Sequence, residues 1–336
     1  MLNHKEEFKN KVYYMENNID IDYLRLSLTD RCNLNCVYCT PLERSQFFSR
    51  DEVLSYEEIA RAVSVFVKAG VRKLRLTGGE PLIRKNITGL IKMLRRIGAL
   101  EEIAMTTNGV CLKDLASPLK EAGLDRVNIS IDTLKKEKFK LITGFDYFDD
   151  VWAGIKESLR VELNPVKLNV ILMKGVNDDE ILDFVQLTFE QPFVIRFIEY
   201  FPANKRSSGL SNALIKTQVL KEKIISHFGT IKRISEVRGN GPAEYYKLQD
   251  SEGAIGFISG SSANFCDRCN RVRLDCAGRV SPCLFSGYTH DMRPLLRGGQ
   301  NEKAMFEYVQ DLFKIKSRYR KDTACGRQLE MSSIGG

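Results

Sequence analysis

Strand-like runs alternate with helical stretches over the first 200 residues of this 336-residue chain, and this alternation constrains the fold more than any other feature. One helix is predicted to begin after Ser55, whose spacing to Glu58 is that of a capping box, and to end at Gly70. Another is predicted to begin at Asn177, with Glu180 in the same reciprocal role. Repeated units of this kind predict a parallel sheet with helices outside. The six strand-like runs are Tyr23–Leu28, Lys73–Thr77, Ile103–Thr107, Arg126–Asp132, Val166–Met173 and Val194–Glu199.

Polar or cationic residues alternate with apolar residues inside several of these runs. A closed eight-stranded barrel fills its interior with branched apolar side chains. The alternation seen here predicts an interior lined by polar side chains instead. Because helices normally cover the outside of a parallel sheet, we expect the polar face to line a wide lumen that holds an anionic ligand. An antiparallel sheet exposed on one side is the alternative, and the intervening helices disfavour it. The alternating polar positions are Arg25, Ser27, Lys73, Arg75, Thr77, Asn128, Ser130, Asp132, Lys167 and Asn169.

The first strand-like run leads directly into Cys32, Cys36 and Cys39, which follow a C-x3-C-x2-C spacing. Thiolates are the usual ligands of iron–sulfur clusters, and a four-iron cluster normally has four of them. Three thiolates leave one iron free for a small molecule, as an open position does at catalytic zinc. The triplet alone is also compatible with three buried or zinc-binding thiols.

The second strand-like run ends in a Thr-Gly-Gly-Glu-Pro segment at residues 77–81. Its glycines allow the backbone to approach a ligand closely, and its carboxylate can accept a hydrogen bond from an ammonium group. Together with the cysteine triplet, the segment resembles the signature of radical S-adenosylmethionine (SAM) enzymes. The resemblance implies an α/β fold, a partial (βα)6 TIM-like barrel, with SAM chelated by the free iron. It also implies that an electron from the cluster cleaves SAM to a 5′-deoxyadenosyl radical.

A second cysteine group follows near the C-terminus, where Cys266, Cys269 and Cys283 have a C-x2-C-x13-C spacing and Cys276 lies between them. A four-cysteine structural zinc site is compatible with these spacings. A fully ligated electron-transfer cluster is a second alternative, and a three-thiolate cluster whose free iron meets the substrate is a third.

This second group, the Arg271-Val272-Arg273 segment and the terminal Gly-Gly resemble the GTP 3′,8-cyclase family of molybdenum-cofactor biosynthesis. The resemblance runs from about residue 22 to the end of the chain. It implies two 4Fe-4S clusters, SAM as cofactor and GTP as substrate, which is converted to (8S)-3′,8-cyclo-7,8-dihydroguanosine 5′-triphosphate. In that reaction the radical removes hydrogen from the ribose C3′, and the new carbon radical attacks C8 of guanine.

The resemblance assigns roles to residues position by position. The first cluster falls on Cys32, Cys36 and Cys39 and the second on Cys266, Cys269 and Cys283. SAM contacts fall on Tyr38, Gly79, Ser130 and Phe201, and GTP contacts on Arg25, Arg75, Thr106, Lys167, Arg271 and Arg273. Arg271, Arg273, Gly335 and Gly336 are the residues implied in catalysis. Phe201 stands where the family has a methionine, and Cys276 where it usually has a small polar residue.

The strand–helix rhythm ends after Glu199, which predicts a radical SAM domain at 1–200 and a smaller C-terminal iron–sulfur domain at 201–336. Residues 201–211 have the composition of a linker or lid. A helix over Lys216–Phe228 and antiparallel strands at Ala243–Leu248 and Gly253–Ile258 are expected beyond it. The basic segment from Lys316 to Lys321 is expected to be exposed.

The composition and charge of the chain limit the classes of partner that we expect. With 43% hydrophobic and 28% charged residues, no long apolar run and an odd number of cysteines, nine, the chain is expected to be a cytoplasmic protein without a membrane partner. The net charge is +8, but the basic segments lack the interleaved aromatic residues that stack on single-stranded nucleic acid. A nucleic-acid partner is therefore not expected. An external electron donor and product transfer to cyclic pyranopterin monophosphate synthase are expected from the resemblance, and a homodimer stays open.

Two other functions compete with this interpretation. A radical SAM enzyme that modifies a peptide would also carry a second cluster, but it needs no cationic lumen of triphosphate size. A non-catalytic iron–sulfur electron carrier would need neither the Gly-Gly-Glu-Pro segment nor a polar lumen.

Overall fold

The computed structural model describes residues 20–39, 47–201, 210, 212–239, 241–260, 262, 269–284, 289–299 and 301–316. Within these residues, twelve strands form one sheet in the order β12-β11-β10-β1-β2-β3-β4-β5-β6-β9-β8-β7. The strands are β1 (Tyr23–Ser27), β2 (Lys73–Thr77), β3 (Glu102–Thr107), β4 (Arg126–Ser130), β5 (Lys167–Leu172), β6 (Val194–Glu199), β7 (Ile231–Ile234), β8 (Glu244–Leu248), β9 (Ala254–Ile258), β10 (Arg271–Leu274), β11 (Arg279–Ser281) and β12 (His290–Asp291).

Helices connect most of the parallel strands. They are α1 (Tyr56–Lys68), α2 (Ile87–Arg95), α3 (Leu112–Glu121), α4 (Lys136–Thr143), α5 (Phe148–Arg160), α6 (Ile181–Glu190), α7 (Thr217–Phe228), α8 (Arg293–Arg297) and α9 (Glu302–Lys316). Strands β1 to β6 are parallel neighbours in chain order, as the alternation predicts. The predicted α/β class with its parallel partial barrel is therefore confirmed.

The strands of the C-terminal part extend both edges of this sheet. β9 pairs in parallel with β6, and β8 pairs antiparallel with β9, as expected for the hairpin. At the other edge β10 pairs in parallel with β1. The predicted antiparallel element is thus present, but its strands continue the sheet of the first part.

The apolar side of the strands packs under the helices. Leu24 and Leu26 of β1 and Leu74 of β2 are fully buried in one core with Phe66 of α1. Each such side chain contributes roughly 1.5–3 kcal/mol by leaving water. The alternate residues of the same strands face the other side of the sheet, so the polar face is left for the lumen. Across the described residues, no helix is long and apolar enough to cross a membrane.

One of the two predicted capping boxes is present. The Ser55 hydroxyl accepts a hydrogen bond from the Glu58 amide at 3.1 Å, and the Glu58 carboxylate accepts one from the Ser55 amide at 2.7 Å. Helix α1 ends at Lys68, and Gly70 follows with a φ of 116°, a conformation that favours glycine.

The capping box predicted at Asn177 is wrong. The Asn177 side chain makes no cap hydrogen bond and instead donates to the carbonyls of Asp132 and Ile171, at 2.7 and 2.8 Å. The Glu180 carboxylate accepts from the Thr133 hydroxyl at 2.8 Å. Both side chains are fully buried and join two loops at the carboxyl ends of the strands, a tertiary role that outweighs local capping.

Candidate active site in the lumen of the sheet

Two cavities lie on the polar face of the sheet. The first, called here the cysteine cavity, has a volume of about 260 Å³ and lies at the carboxyl ends of the parallel strands. It is lined by residues from the cysteine loop, the Gly-Gly-Glu-Pro segment and the ends of β3 to β6, among them Cys32, Cys36, Tyr38, Cys39, Gly78, Gly79, Glu80, Asn108, Ser130 and Asp132.

The second, called here the cation cavity, has a volume of about 220 Å³, and its lining includes the first residues of β1, β4 and β5. Its lining includes Tyr23, Arg25, Arg75, Thr106, Arg126, Lys167, Arg196, Tyr245, Arg271 and Arg273. The two cavities share lining residues, namely Thr106, Asn169, Ile198, Glu199 and Phe201. They therefore adjoin, and together they reach the size range of a ligand site, roughly 300–1,000 Å³.

The glycines of the Gly-Gly-Glu-Pro segment pack against the cysteine loop. The Gly79 amide donates to the Thr29 carbonyl at 2.7 Å, and the Glu80 amide donates to the Arg31 carbonyl at 2.8 Å. A Cβ atom on Gly78 would lie 2.6 Å from the Thr29 carbonyl oxygen, and one on Gly79 would overlap the Arg31 carbonyl. Glycine is required here because backbone meets backbone, which holds the cysteine loop against the end of β2.

The Glu80 carboxylate is occupied by the protein itself. It accepts from the Leu82 amide at 3.0 Å, the Thr107 hydroxyl at 2.7 Å and the Asn108 amide at 2.7 Å. Burial raises the pKa of Glu80 to about 7, although these hydrogen bonds act to lower it. The carboxylate thus ties the end of β2 to the end of β3 at the wall of the cysteine cavity.

The cysteine triplet has the donor set of an open-iron cluster. All three thiols line one cavity, and the Cys32 sulfur accepts from the Leu34 amide at 3.4 Å and from the Asn108 side chain at 3.8 Å. Burial first, and then the negative charges of Cys39, Asp132 and Cys32, raises the pKa of Cys36 well above its usual value. Thiolates gathered in this way need positive charge beside them, which the irons of a cluster supply. The residues therefore fit a cluster.

Tyr38 and Asp132 form a hydrogen-bonded pair in the same cavity, in which Asp132 is buried and Tyr38 is partly buried. The Tyr38 hydroxyl donates to the Asp132 carboxylate at 2.6 Å, and the other Asp132 oxygen accepts from the Ile171 amide at 2.8 Å. Burial raises the pKa of Asp132 to about 6 despite both hydrogen bonds. This pair fixes the tyrosine beside the cysteine loop and leaves an acidic, desolvated wall in the cavity.

Register places cations side by side in the second cavity. Arg25 of β1 lies opposite Arg75 of β2 on one side and opposite Arg273 of β10 on the other. Burial and the charge of Arg273 lower the pKa of Arg25 well below its usual value. Tyr23 accepts a hydrogen bond from the Arg75 Nε. Burial acts to raise the pKa of Tyr23, but Arg75 and Arg25 lower it to about 8.

Lys167 lies at the floor of the cation cavity and is only 1% exposed. Its ammonium donates to the Arg238 carbonyl at 2.6 Å and to the Tyr245 hydroxyl at 3.1 Å. Burial, followed by the charges of Arg196 and other arginines, lowers the pKa of Lys167 to about 5. Cations crowded away from water in this way favour an anion between them.

Sequence reasoning missed two cations of this cavity, Arg126 and Arg196. Arg126 is in phase with Asn128 on β4, so the same alternation contained the signal. It forms a two-point ion pair with Glu102, at 2.6 and 3.0 Å, and the side chains are 1% and 5% exposed. Arg196 of β6 donates to the Asn169 side chain, and its buried Nε has no hydrogen-bond partner among the described residues. Arg196 is therefore the better placed of the two to meet a ligand.

The second cysteine group is described in part. Arg271 and Arg273 of β10 point into the cation cavity, and Cys269 and Cys283 lie close enough to Arg273 to affect its pKa, which burial and Arg271 lower to about 10. Cys266, Gly335 and Gly336 lie outside the described residues, as does most of the predicted linker or lid at 201–211.

Cys276 lies apart from both cavities. It is fully buried in the turn between β10 and β11, where its carbonyl accepts from the Leu54 amide at 2.8 Å. Burial, with smaller contributions from Asp275 and Asp30, raises the pKa of Cys276 to about 12. The groups beside Cys276, namely Leu54, Asp275 and Asp30, also lie outside the lining of both cavities.

Most of the predicted site residues that the structure describes lie on these two cavities. Those in the cysteine cavity are Cys32, Cys36, Tyr38, Cys39, Gly79 and Ser130, and those in the cation cavity are Arg25, Arg75, Lys167, Arg271 and Arg273. Thr106 and Phe201 line both, at the junction. Cys269 and Cys283 do not line either cavity but lie next to Arg273.

Comparisons with known proteins agree with this geometry. The family model for the radical SAM superfamily matches residues 26–188, and the family model Molybdenum Cofactor Synthesis C matches residues 193–322. A GTP 3′,8-cyclase from Heliobacterium modesticaldum is 42% identical over 320 residues, which cover 94% of this chain and 98% of that protein. A GTP 3′,8-cyclase from Petrotoga mobilis is 43% identical with the same coverage.

Solved structures resemble this one in fold. Streptococcus suis SuiB bound to SAM aligns with a TM-score of 0.61 at 14% identity and covers 91% of this chain and 77% of that one. The native anSMEcpe structure with bound AdoMet aligns with a TM-score of 0.56 at 17% identity and covers 92% of both chains. At these identities the likeness concerns the fold alone.

Proposed function

This chain belongs to the GTP 3′,8-cyclase family, and from that membership we propose that the cysteine cavity holds SAM and the cation cavity holds GTP. It is a radical SAM enzyme of molybdenum-cofactor biosynthesis and catalyses the first step, the conversion of GTP to (8S)-3′,8-cyclo-7,8-dihydroguanosine 5′-triphosphate. Its cofactors are SAM and 4Fe-4S clusters. The peptide-modifying and electron-carrier alternatives are set aside by relatives that match over nearly the whole chain.

One observation carries the assignment of the two sites: a cavity lined by cations opens directly onto a cavity lined by three thiols. A triphosphate needs several charge-assisted hydrogen bonds, and arginine and lysine supply them. A radical made beside the thiols has to reach the substrate without crossing solvent. The shared walls at Thr106 and Phe201 would place the two ligands in contact.

In the cysteine cavity, Cys32, Cys36 and Cys39 would hold the first cluster, with Tyr38, Gly79, Ser130 and Phe201 around SAM. When bound, the cluster and SAM supply the 5′-deoxyadenosyl radical. The protein holds the loop in place through the backbone of Gly79 and through Tyr38, whose hydroxyl is fixed by Asp132. Phe201 is 40% exposed and gives an apolar wall at the junction, so it can shield the reacting atoms once both ligands are present.

In the cation cavity, Arg25, Arg75 and Lys167 would bind the triphosphate, and Thr106 the nucleoside near the junction. Burial lowers the pKa of each of these cations, and an anion between them would raise it again. The binding free energy therefore includes relief of repulsion that the free protein already carries.

The second cluster would be held by Cys266, Cys269 and Cys283, and three thiolates would leave one iron available to bind the substrate. Arg271 and Arg273 emerge from the same hairpin and line the cation cavity, so they would meet the charge that develops on the substrate. Gly335 and Gly336 would enter the site as a closing tail. These roles rest on the match of this chain to the family's motifs.

Further assignments follow from the same membership. We propose that residues 1–200 form the radical SAM domain and 201–336 a C-terminal domain that completes the lumen. An external one-electron donor would reduce the clusters, and the product would pass to cyclic pyranopterin monophosphate synthase. A cytoplasmic location completes the proposal.

The direct test is ligand binding followed by product analysis. The anaerobically reconstituted protein should bind one SAM and one GTP per chain and form the cyclised nucleotide once a reductant is added. Binding of SAM without GTP would leave a radical SAM enzyme of another substrate class, and binding of neither would remove both site assignments.

A further inference from the structure

Lys316 is a buried cation at the end of α9. Its residue is 6% exposed, whereas the side chain of Lys314, one of the other lysines of the same turn, is 72% exposed. The expectation that the basic segment beginning at Lys316 is exposed is therefore wrong at this residue. Burial of an ammonium group costs free energy unless acceptors surround it, so its partners are informative.

Within the described residues, Lys316 has one acceptor in the second cysteine group and one in the residue next to a cysteine of that group. The ammonium donates to the Pro282 carbonyl at 2.9 Å and to the Cys269 sulfur at 3.5 Å. Pro282 directly precedes Cys283 in the sequence. One lysine thus contacts the two chain segments that carry these two cysteines.

The hairpin of β10 and β11 explains how one side chain reaches both. Cys269 lies just before β10 and Pro282 just after β11, and the antiparallel register pairs Arg273 with Ser281. The two ends of the hairpin therefore lie side by side. The Lys316 ammonium lies between them.

The position of the lysine follows from the packing of α9. Met305, Val309 and Leu312 form its buried face at helical spacing, and Lys316 continues that face one turn further. Phe313 packs on Phe66 of α1 with ring centroids 6.2 Å apart. The helix is thus anchored on the outer layer with its last turn directed at the hairpin, so the ammonium is held there by the fold.

We propose that Lys316 is a positioning residue for the second cluster, bridging the Cys269 sulfur and the segment that carries Cys283. The inference rests on the proposed second cluster and adds a residue to it. A cation that donates to a ligand sulfur stabilises the more negative, reduced state of a cluster, and hydrogen bonds to the sulfurs are among the factors that set its reduction potential. Lys316 therefore raises the reduction potential of the second cluster and helps to retain its iron.

The test uses the full-length, anaerobically reconstituted protein as wild type, Lys316→Met, Lys316→Arg and Lys314→Met. Methionine keeps the apolar stem and removes the charge, arginine keeps the charge, and Lys314→Met removes a charge from the solvent side of the same helix turn. Iron and sulfide per chain are measured first. An electron paramagnetic resonance redox titration follows, in which the signal that responds to added SAM belongs to the first cluster.

We expect Lys316→Met to shift the second cluster to a lower reduction potential, or to lose its iron, with the first cluster unchanged. Lys316→Arg and Lys314→Met should both keep the reduction potential and iron content of the second cluster near the wild-type values. An unchanged potential and iron content in Lys316→Met would overturn the inference, and so would equal loss of both clusters with a collapsed melting transition, which marks a purely structural role. A wild-type protein that assembles no second cluster would instead contradict the proposed function.

Discussion

The two cavities of the lumen are opposite in charge. The cysteine cavity gathers thiols and the carboxyl groups of Glu80 and Asp132, whose pKa values burial raises to about 7 and about 6. The cation cavity gathers arginines and Lys167, and burial lowers the pKa of that lysine to about 5. In each cavity the groups repel one another and have little water to screen them.

The difference shows which ligand each cavity is prepared for. Acidic groups without counter-charge favour iron and the positively charged sulfonium and ammonium groups of SAM, and crowded cations favour a triphosphate. The wall shared by the cavities carries the uncharged side chains of Thr106 and Asn169 together with the carboxylate of Glu199, which accepts hydrogen bonds from Thr217 and Ser262. The charge of each cavity therefore favours a different ligand, and the reacting atoms of the two ligands can meet at this shared wall.

The largest effect is expected from Cys36→Ser in the cysteine cavity. Without this thiol the first cluster cannot assemble with three ligands, so SAM cleavage should be abolished while GTP binding and the second cluster persist. 5′-Deoxyadenosine formation and iron content measure this. Cys111→Ser is the matched control, because Cys111 lies at the start of α3, outside the lining of both cavities. Undiminished cleavage in Cys36→Ser would contradict the assignment of the cavity.

Arg126→Ala should lower the free energy of unfolding more than Lys167→Ala does. It leaves the buried Glu102 carboxylate without its two-point partner, and breaking a buried ion pair costs roughly 3–5 kcal/mol. The loss of unfolding free energy should lie toward the lower value, because Arg238 stays 3.4 Å from Glu102 and still compensates part of its charge. Urea unfolding measures it, with the double variant Arg126→Met/Glu102→Met as control. Recovery of stability in the double variant is expected, and equal loss there would refute the ion-pair explanation.

Lys167→Ala should weaken GTP binding and spare SAM binding. A hydrogen bond to a charged group contributes roughly 1.5–3 kcal/mol, which corresponds to about a 10- to 150-fold loss of affinity. Lys120→Ala, an exposed lysine near α5, serves as the control and should bind both ligands normally. Calorimetric titration of each ligand compares them. A parallel loss of both affinities would indicate misfolding and remove the distinction between the cavities.

The same lysine should make GTP binding depend on pH. Its pKa is lowered to about 5 in the free protein, so it is mostly neutral at pH 7, and an anion beside it raises that pKa. Binding then takes up a proton, and affinity falls as pH rises above about 5, by up to roughly tenfold per pH unit. Calorimetry in buffers of different ionisation enthalpy counts the proton. Lys167→Met should take up fewer protons than wild type, and an unchanged count would contradict this account of the cavity.

The smallest effect is expected at Cys276. Its buried position beside Leu54 keeps it away from both cavities, so Cys276→Ser should retain both clusters and most activity. Cys283→Ser is the matched variant and should lose the second cluster and GTP turnover. The iron content of the two variants shows which of these cysteines binds the second cluster. If Cys276→Ser strips the second cluster as completely, that cluster has four protein ligands and no iron open to substrate.

The strands and the cationic lumen were predictable because both depend on local alternation. Arg25, Arg75 and Lys167 could be placed inward from period two alone, and the same rule extends to Arg126 and Arg196. Alternation does not show which cation forms an ion pair with a carboxylate, because the Glu102 partner of Arg126 lies on a neighbouring strand. That information resides in the register of the sheet.

Other features depend on tertiary contacts that no local pattern encodes. The spacing of Asn177 and Glu180 is that of a capping box, yet both side chains bind neighbouring loops. The Glu80 carboxylate lines the cysteine cavity and also accepts from the Thr107 hydroxyl of β3, a contact that the motif does not reveal. The burial of Lys316 likewise follows from the packing of α9 on the outer layer.

The central claim is that the two cavities bring SAM and GTP into contact, and isotope transfer tests it most directly. GTP carrying deuterium at the ribose C3′ is supplied to the reduced, anaerobically reconstituted enzyme with SAM, and the 5′-deoxyadenosine formed is analysed by mass spectrometry. The account predicts one deuterium in the 5′-deoxyadenosine, with formation of the cyclised nucleotide. Cleavage of SAM to 5′-deoxyadenosine without deuterium, at saturating GTP, would contradict it.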